Sequence, residues 1–284
     1  MKKISFQEFQ SINIESFSSI NDEIISLNIK WWAHSGTLLG AIRDEKIIPW
    51  DDDIDMAMSI VDFYKYKSKL QEIANKYNYE LIDRLEHWGL DVCRLIYNEK
   101  YIVEFDNSEY ISSPHIDIML AIPVKKKISK LKSFNWSMIN NLSFIYNSPF
   151  PLPKYGWKFK KLKKIHWYEN LIVLIFKILF FPLFLMIPLQ NIWLKRKKHL
   201  EYENLVLYYN YNSLQIQYIK KNLIQIPFHN TLIYCDFHYK NELNKRYGVN
   251  WKTPVSDELK IPHHLLLTPA IKNLNYSIKP FIII

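Results

Sequence analysis

The sequence predicts a mixed α/β fold of the α+β kind, and three observations carry that expectation. A helical period of apolar residues runs through residues 6–27, and strand-length apolar runs recur between residues 54 and 122. From Lys125 onward the pattern turns helical, basic and aromatic. The composition supplies what such a fold must bury. Of 284 residues, 49% are hydrophobic and 15% aromatic against 23% charged, which excludes a disordered chain. A chain of this length holds one large domain or two small ones.

Taken in order, Phe6, Phe9, Ile14, Phe17, Ile20, Ile24 and Leu27 lie close to a 3.6-residue spacing, so the first element is an amphipathic helix packed on the sheet that follows. Residues 30–34 read as a short strand entering Ser35-Gly36-Thr37, and residues 54–58 as a second strand. Ser59 and Asp62 resemble a capping pair for a helix running to about Tyr77. Further strand-like runs occupy residues 79–85, 91–97, 101–105 and 116–122. Pro149, Pro151 and Pro153 mark a linker or sharp turn. The expected division is a core over 1–124, a helical basic and apolar region over 125–213, and a segment over 214–284 that packs back on the core.

Only Cys93 and Cys235 occur, far apart and outside any C-x-x-C pattern, so a disulfide framework and a Cys-rich zinc site are excluded and a reducing compartment is expected. Residues 1–10 carry Lys2 and Lys3 but no continuous apolar run, which argues against an export signal. The net charge of +9 is concentrated. Residues 154–198 contain eleven Lys or Arg against the single acid Glu169, a local +10, so the remainder is close to neutral. Within that stripe, residues 171–189 are nearly continuously apolar, broken by Lys177, Pro182 and Pro188. Their 19 residues approach the roughly 20 needed to span a bilayer, but basic clusters on both flanks and the internal prolines favour an interfacial or re-entrant membrane segment. A true span and a buried core helix are the alternatives. The expected partner of the stripe is an anionic membrane surface rather than nucleic acid, with a cytoplasmic location on the inner face of the membrane.

The chemistry concentrates in residues 32–58. Two of the chain's five glycines, Gly36 and Gly40, fall there, suggesting a backbone that must approach a phosphate closely. Gly36 and Thr37 could offer amides and a hydroxyl to a phosphate at a helix start, and Arg43 a bidentate contact. After a Pro-Trp turn come Asp51, Asp52, Asp53 and Asp55. If Asp53-Ile54-Asp55 opens a strand, both carboxylates face one side while Ile54 and Met56 pack on the other, which makes a site for Mg²⁺ or Mn²⁺. His34 reads as a polar strand end, His263-His264 as solvated, and His229, Cys235 and His238 lack the fourth spaced partner that a zinc site needs.

The run S-G-T-L-L-G-A-I-R followed by I-I-P-W-D-D-D-I-D resembles the LicD/fukutin family of the nucleotidyltransferase-fold superfamily. The resemblance implies a nucleotidyltransferase-like mixed sheet with helices. It implies that Asp53 and Asp55 bind divalent metal with Asp51 as a further ligand, and that Asp117, in Ile116-Asp117-Ile118, is the third carboxylate on a later strand. Asp53, Asp55 and Asp117 are then the catalytic set, with Gly36, Thr37 and Arg43 binding substrate. The implied reaction transfers phosphocholine or a polyol phosphate from a CDP-linked alcohol to a glycan hydroxyl, on an acceptor assembled on a lipid carrier. A nucleotide-adding enzyme of the same fold, releasing pyrophosphate, and a catalytically silent binding module are the alternatives. Asp44 stands where many members have histidine. Ile226-Pro227-Phe228 and the stretch from Leu243 to Gly248 before Pro254 are weaker points of similarity.

Overall fold

The computed structural model describes residues 1–83, 92–124, 155–158, 161–164, 167–179, 204–207, 217–220, 222–257, 260–262 and 265. The chain opens with β1 (Lys2–Ser5) and α1 (Phe6–Ser26). Ser5 and Glu8 start that helix with a reciprocal capping box, each side chain accepting from the other's amide at 3.2 Å. Then follow β2 (Trp31–Ala33), α2 (Ser35–Asp44), β3 (Ile54–Ser59) and α3 (Ile60–Lys76). Ser59 caps α3, its hydroxyl accepting from the Val61 amide at 3.1 Å.

Four short strands, β4 (Tyr79–Ile82), β5 (Cys93–Tyr97), β6 (Tyr101–Phe105) and β7 (Ser108–Ser112), lead into the ten-residue β8 (His115–Val124). Strand β8 is the spine of a seven-stranded mixed sheet. It runs parallel to β3, whose other edge carries β2 antiparallel. On its opposite edge the first half of β8 pairs with β5, itself paired with β4. The second half pairs with β11 (Asn204–Leu207), followed by β12 (Gln217–Lys220). A smaller sheet, β1-β6-β7, lies apart. Its β6–β7 hairpin closes with Asp106 and Asn107 both at positive φ, the geometry a two-residue loop favours.

Alternation along β3 and β8 sends Ile54, Met56, Met58, Ile116, Ile118 and Leu120 into the main core, where Phe17, Ile20 and Ile24 of α1 and Phe63, Leu70 and Ile73 of α3 cover them. Each such fully buried apolar side chain stabilises the fold by about 1.5–3 kcal/mol. The hairpin β13 (Leu223–Phe228) and β14 (Thr231–Asp236) joins this core through Phe228, which meets Phe17 edge-on at 5.8 Å. Helix α5 (Tyr239–Tyr247) follows and inserts Leu243.

The helical expectation from Lys125 onward is met by α4 (Trp167–Leu179) but not by its neighbours. β9 (Tyr155–Lys158) and β10 (Lys161–Lys164) form an antiparallel hairpin, and the lysine–leucine–lysine alternation of β10 has a strand's period of two rather than a helix's. Helix α4 exposes eight large apolar side chains, so it is not a core helix. No helix among the described residues is long and apolar enough to cross a membrane. Residues 180–189 and His263-His264 lie outside the described residues.

Candidate active site

The parallel register of β3 and β8 places Asp55 opposite Asp117 and Ile54 opposite Ile116. Because neighbouring residues alternate faces, the isoleucines that enter the core leave Asp55, His115 and Asp117 on the other side of the sheet. Asp53 stands just before β3. One donor atom from each of Asp53, His115 and Asp117 lies within 4.8 Å of the others, and all three residues are buried. Asp51, Asp52 and Asp53 form a second such group. The Nδ1 of His115 is 3.0 Å from the Ser113 carbonyl, which can only accept, so Nδ1 carries a proton; in the neutral ring this leaves the Nε2 lone pair for a cation. Two carboxylates and an imidazole in a buried cluster make a donor set for a divalent cation, the carboxylates suiting Mn²⁺ or Mg²⁺. Arg94, opposite Asp117 in the β5–β8 register, grips both oxygens of that carboxylate, with Nη2 at 2.6 Å from Oδ2 and Nε on Oδ1. A carboxylate so held keeps lone pairs for a cation and cannot rotate away from the cluster.

Helix α2 abuts these acids with its first turn. The Gly36 amide donates to Asp55 Oδ2 at 3.3 Å, and the Asp55 amide donates to the Thr37 hydroxyl at 2.8 Å. Thr37 is fully buried, so its hydroxyl aligns Asp55 rather than facing a phosphate. A Cβ at Gly36 would lie 2.2 Å from Asp51 Oδ2, so any side chain there requires the Asp51 carboxylate to shift. The turn bearing Asp51 is pinned from α1 by Gln10, whose Nε2 donates to the Asp51 carbonyl at 2.7 Å. Asp52 accepts from the amide of distant Leu265. Arg43 is not brought to this end of the helix. It lies about 10 Å further along the axis and pairs with Asp44 at 2.7 Å.

Helix α5 closes the first turn of α2 from outside. Ser35 sits at φ 51, a left-handed conformation that costs energy for a residue with a Cβ. Its amide donates to Glu242 Oε1 at 3.2 Å and its hydroxyl accepts from Arg246 Nη1 at 2.9 Å. Buried His34 completes the network, with Nδ1 2.5 Å from Glu242 Oε1 and Nε2 3.2 Å from Arg246 Nη2. A neutral imidazole satisfies both partners, and burial holds the His34 pKa below its ordinary value against the pull of Glu242. Burial alone would raise Glu242, but His34, Arg246 and the Ser35 amide together hold it below the usual carboxylate value. Desolvation of its hydroxyl, with Arg246 and Ser35 opposing and the charges of Asp55 and Asp51 adding, raises the Tyr247 phenol above its ordinary value, although the residue as a whole is 38% exposed.

Residues 28–164 match the LicD/FKTN/FKRP nucleotidyltransferase domain. That match supports membership of the LicD/fukutin family. A stretch of 81 residues is 33% identical to the lipopolysaccharide cholinephosphotransferase LicD of Haemophilus influenzae, covering 28% of this chain and 31% of that protein. An uncharacterized protein of Rickettsia prowazekii is 27% identical over 121 residues, 42% of this chain and 43% of its own. One of Rickettsia typhi is 37% identical over 59 residues, 20% and 19% respectively. The matched stretches span less than half the length of each of these relatives.

Of the residues expected from the LicD motif, the structure gathers Asp51, Asp53 and Asp117 into metal-capable groups and sets Asp55 beside them, tied to α2. His229 is committed elsewhere, its Nε2 accepting from the Ile47 amide at 2.9 Å. An open hollow of about 620 Å³ near Asp22 and Thr231 contains none of the site residues. Sequence reasoning missed His115, Arg94, Gln10 and Glu242, and marked Arg246 only as part of the stretch from Leu243 to Gly248. His115 was readable, because it lies two residues before Asp117 and shares its face on any strand. The others come from separate elements, and no local pattern ties them to the motif.

Proposed function

We propose that the chain is a divalent-cation-dependent phosphotransferase that moves a phospho-alcohol, phosphocholine or a polyol phosphate, from a CDP-linked donor to a hydroxyl of a cell-surface glycan. The observation that carries this reading is the meeting of Asp53, His115 and Asp117 within 4.8 Å on the sheet face beside the first turn of α2, inside a LicD domain. Relatedness to a lipopolysaccharide cholinephosphotransferase supports the donor and acceptor classes.

Asp51, Asp53, His115 and Asp117 are the residues that would hold Mg²⁺ or Mn²⁺, with Asp55 alongside. A cation bound there neutralises a diphosphate and the charge developing on the leaving CMP. The protein's own part is positional. Arg94 fixes Asp117, Thr37 and the Gly36 amide fix Asp55, and Gln10 fixes the Asp51 turn. As the acceptor oxygen bonds phosphorus, the phosphorus–oxygen bond to CMP breaks, and the acceptor proton passes to the carboxylate of Asp55 on the sheet face.

The test is a donor panel of CDP-choline, CDP-ribitol, CDP-glycerol and CDP-ethanolamine with Mg²⁺ or Mn²⁺ and mixed glycan acceptors, scored for CMP. Acceptor-dependent CMP from one donor supports the proposal. Pyrophosphate release from nucleoside triphosphates would replace it with nucleotidyl transfer, and no turnover with any donor would leave a binding module.

A further inference from the structure

The site uses nothing of α4, yet this helix has the most apolar exposed surface of the described residues. Its eight exposed large side chains include Trp167 at 77%, Ile172 at 57%, Ile178 at 65% and Leu179 at 68%. At about 100° per residue they fall within one arc of roughly 160°, and the helix's polar positions 169, 170 and 177 fall outside it. That stripe is wider than a coiled-coil seam. Isolated apolar residues on a surface are ordinary, whereas a continuous stripe needs a cover.

Charge decides the cover. The hairpin β9–β10 ends at Lys164, just before α4, and its register sets Lys158 opposite Lys161. Across residues 154–198 the local charge is +10. A second copy would bring the same cations into opposition, whereas an anionic lipid surface complements them. The sequence decides the orientation. The apolar run that begins in the helix is interrupted by Lys177, Pro182 and Pro188, which disfavours a single straight span, and the helix opens with Trp167-Tyr168, ring types that favour the headgroup boundary.

We propose that α4 is an interfacial anchor. It lies in the plane of an anionic bilayer with its apolar arc among the acyl chains and the lysines of β9–β10 at the headgroups. The inference is independent of the catalytic reading, because binding needs neither donor nor cation.

The full chain is floated with phosphatidylcholine vesicles and with vesicles of phosphatidylcholine and phosphatidylglycerol. Binding is expected to be strong only on the second, to weaken with salt, and to be released by alkaline carbonate. The triple variant Leu171→Glu, Ile175→Glu, Ile178→Glu is expected to lose at least tenfold in bound fraction. Lys158→Gln, Lys161→Gln, Lys163→Gln is expected to lose on the order of a hundredfold in affinity for the anionic vesicles. All six positions are outside the site, so thermal melting should be unchanged. If the glutamate variant fails to fold, the lysine variant and the salt dependence decide. Equal binding by either folded variant, retention in carbonate, no vesicle binding, or self-association that the glutamate variant abolishes would each overturn the proposal.

Discussion

Gly36→Ala separates a steric account of the LicD motif from a purely phosphate-binding one. The alanine Cβ would lie 2.2 Å from Asp51 Oδ2, well inside contact distance, so the carboxylate must move by more than 1 Å. The backbone at Gly36 is ordinary helix, hence the whole penalty comes from Asp51. Displacing a side chain costs about 1–3 kcal/mol in a packed region. A 1 Å misplacement of a site group costs about a hundredfold in rate. The double-mutant cycle makes the reasoning sharp. In an Asp51→Ala background the clash is gone, and the same glycine-to-alanine change should be neutral or stabilise by up to about 1 kcal/mol through helix propensity. Thermal or urea unfolding of the four proteins measures the coupling, and CMP release measures the rate. An equal destabilisation by Gly36→Ala in both backgrounds would show that Asp51 is not what excludes a side chain there.

Gly40→Ala meets backbone instead, with the Lys46 carbonyl at 2.4 Å, so it should destabilise by at least as much while leaving the Mn²⁺-dependent thermal shift intact. Asp53→Asn and Asp117→Asn should keep the fold but lose the Mn²⁺-dependent stabilisation and at least a hundredfold in turnover, with Asp44→Asn as the near-neutral control; wild-type shifts in both variants would remove the cluster as a cation site. His115→Gln should weaken Mn²⁺ binding by about tenfold or more in calorimetric titration, and unchanged affinity would return the donor set to carboxylates alone. The fourth concerns pH. Burial depresses the His34 pKa from 6.5, so the unfolded chain takes up a proton that the folded one refuses. Stability is therefore full above pH 6.5 and should fall below it, by at most about 1.4 kcal/mol per unit for this group, in buffers without divalent ions. His34→Gln should flatten that limb of the curve.

The acid-bearing half of the sheet was legible because its signals are local. Alternation in Asp53-Ile54-Asp55 and Ile116-Asp117-Ile118 separates acids from core in any register, and the capping residue Ser59 announced α3. The roles inside the motif were less legible. Gly36 reads as a phosphate-approach glycine until Asp51, fifteen residues on, is found beside it, and Thr37 reads as a substrate hydroxyl until the Asp55 amide occupies it. Arg43 follows the motif closely in sequence yet ends up at the far end of a rigid helix. The β9–β10 hairpin was read as helix because lysine-rich alternation carries little apolar contrast. The Glu242 and Arg246 contacts were beyond sequence reasoning, since nothing local encodes a contact 207 or 211 residues away.

Those long separations order events in time. At roughly 5–20 residues per second of synthesis, the span from Ser35 to Arg246, 211 residues, takes on the order of 10–40 s to make. From the moment residue 117 is made, the nascent chain owns Asp51, Asp53, Asp55 and Asp117 while the left-handed turn at Ser35 has neither Glu242 nor Arg246 to hold it. Leu265, whose amide engages Asp52, emerges later still. Whatever chemistry the acids perform, segment 28–164 carries the reagents and the distant helix sets the moment at which they are aligned.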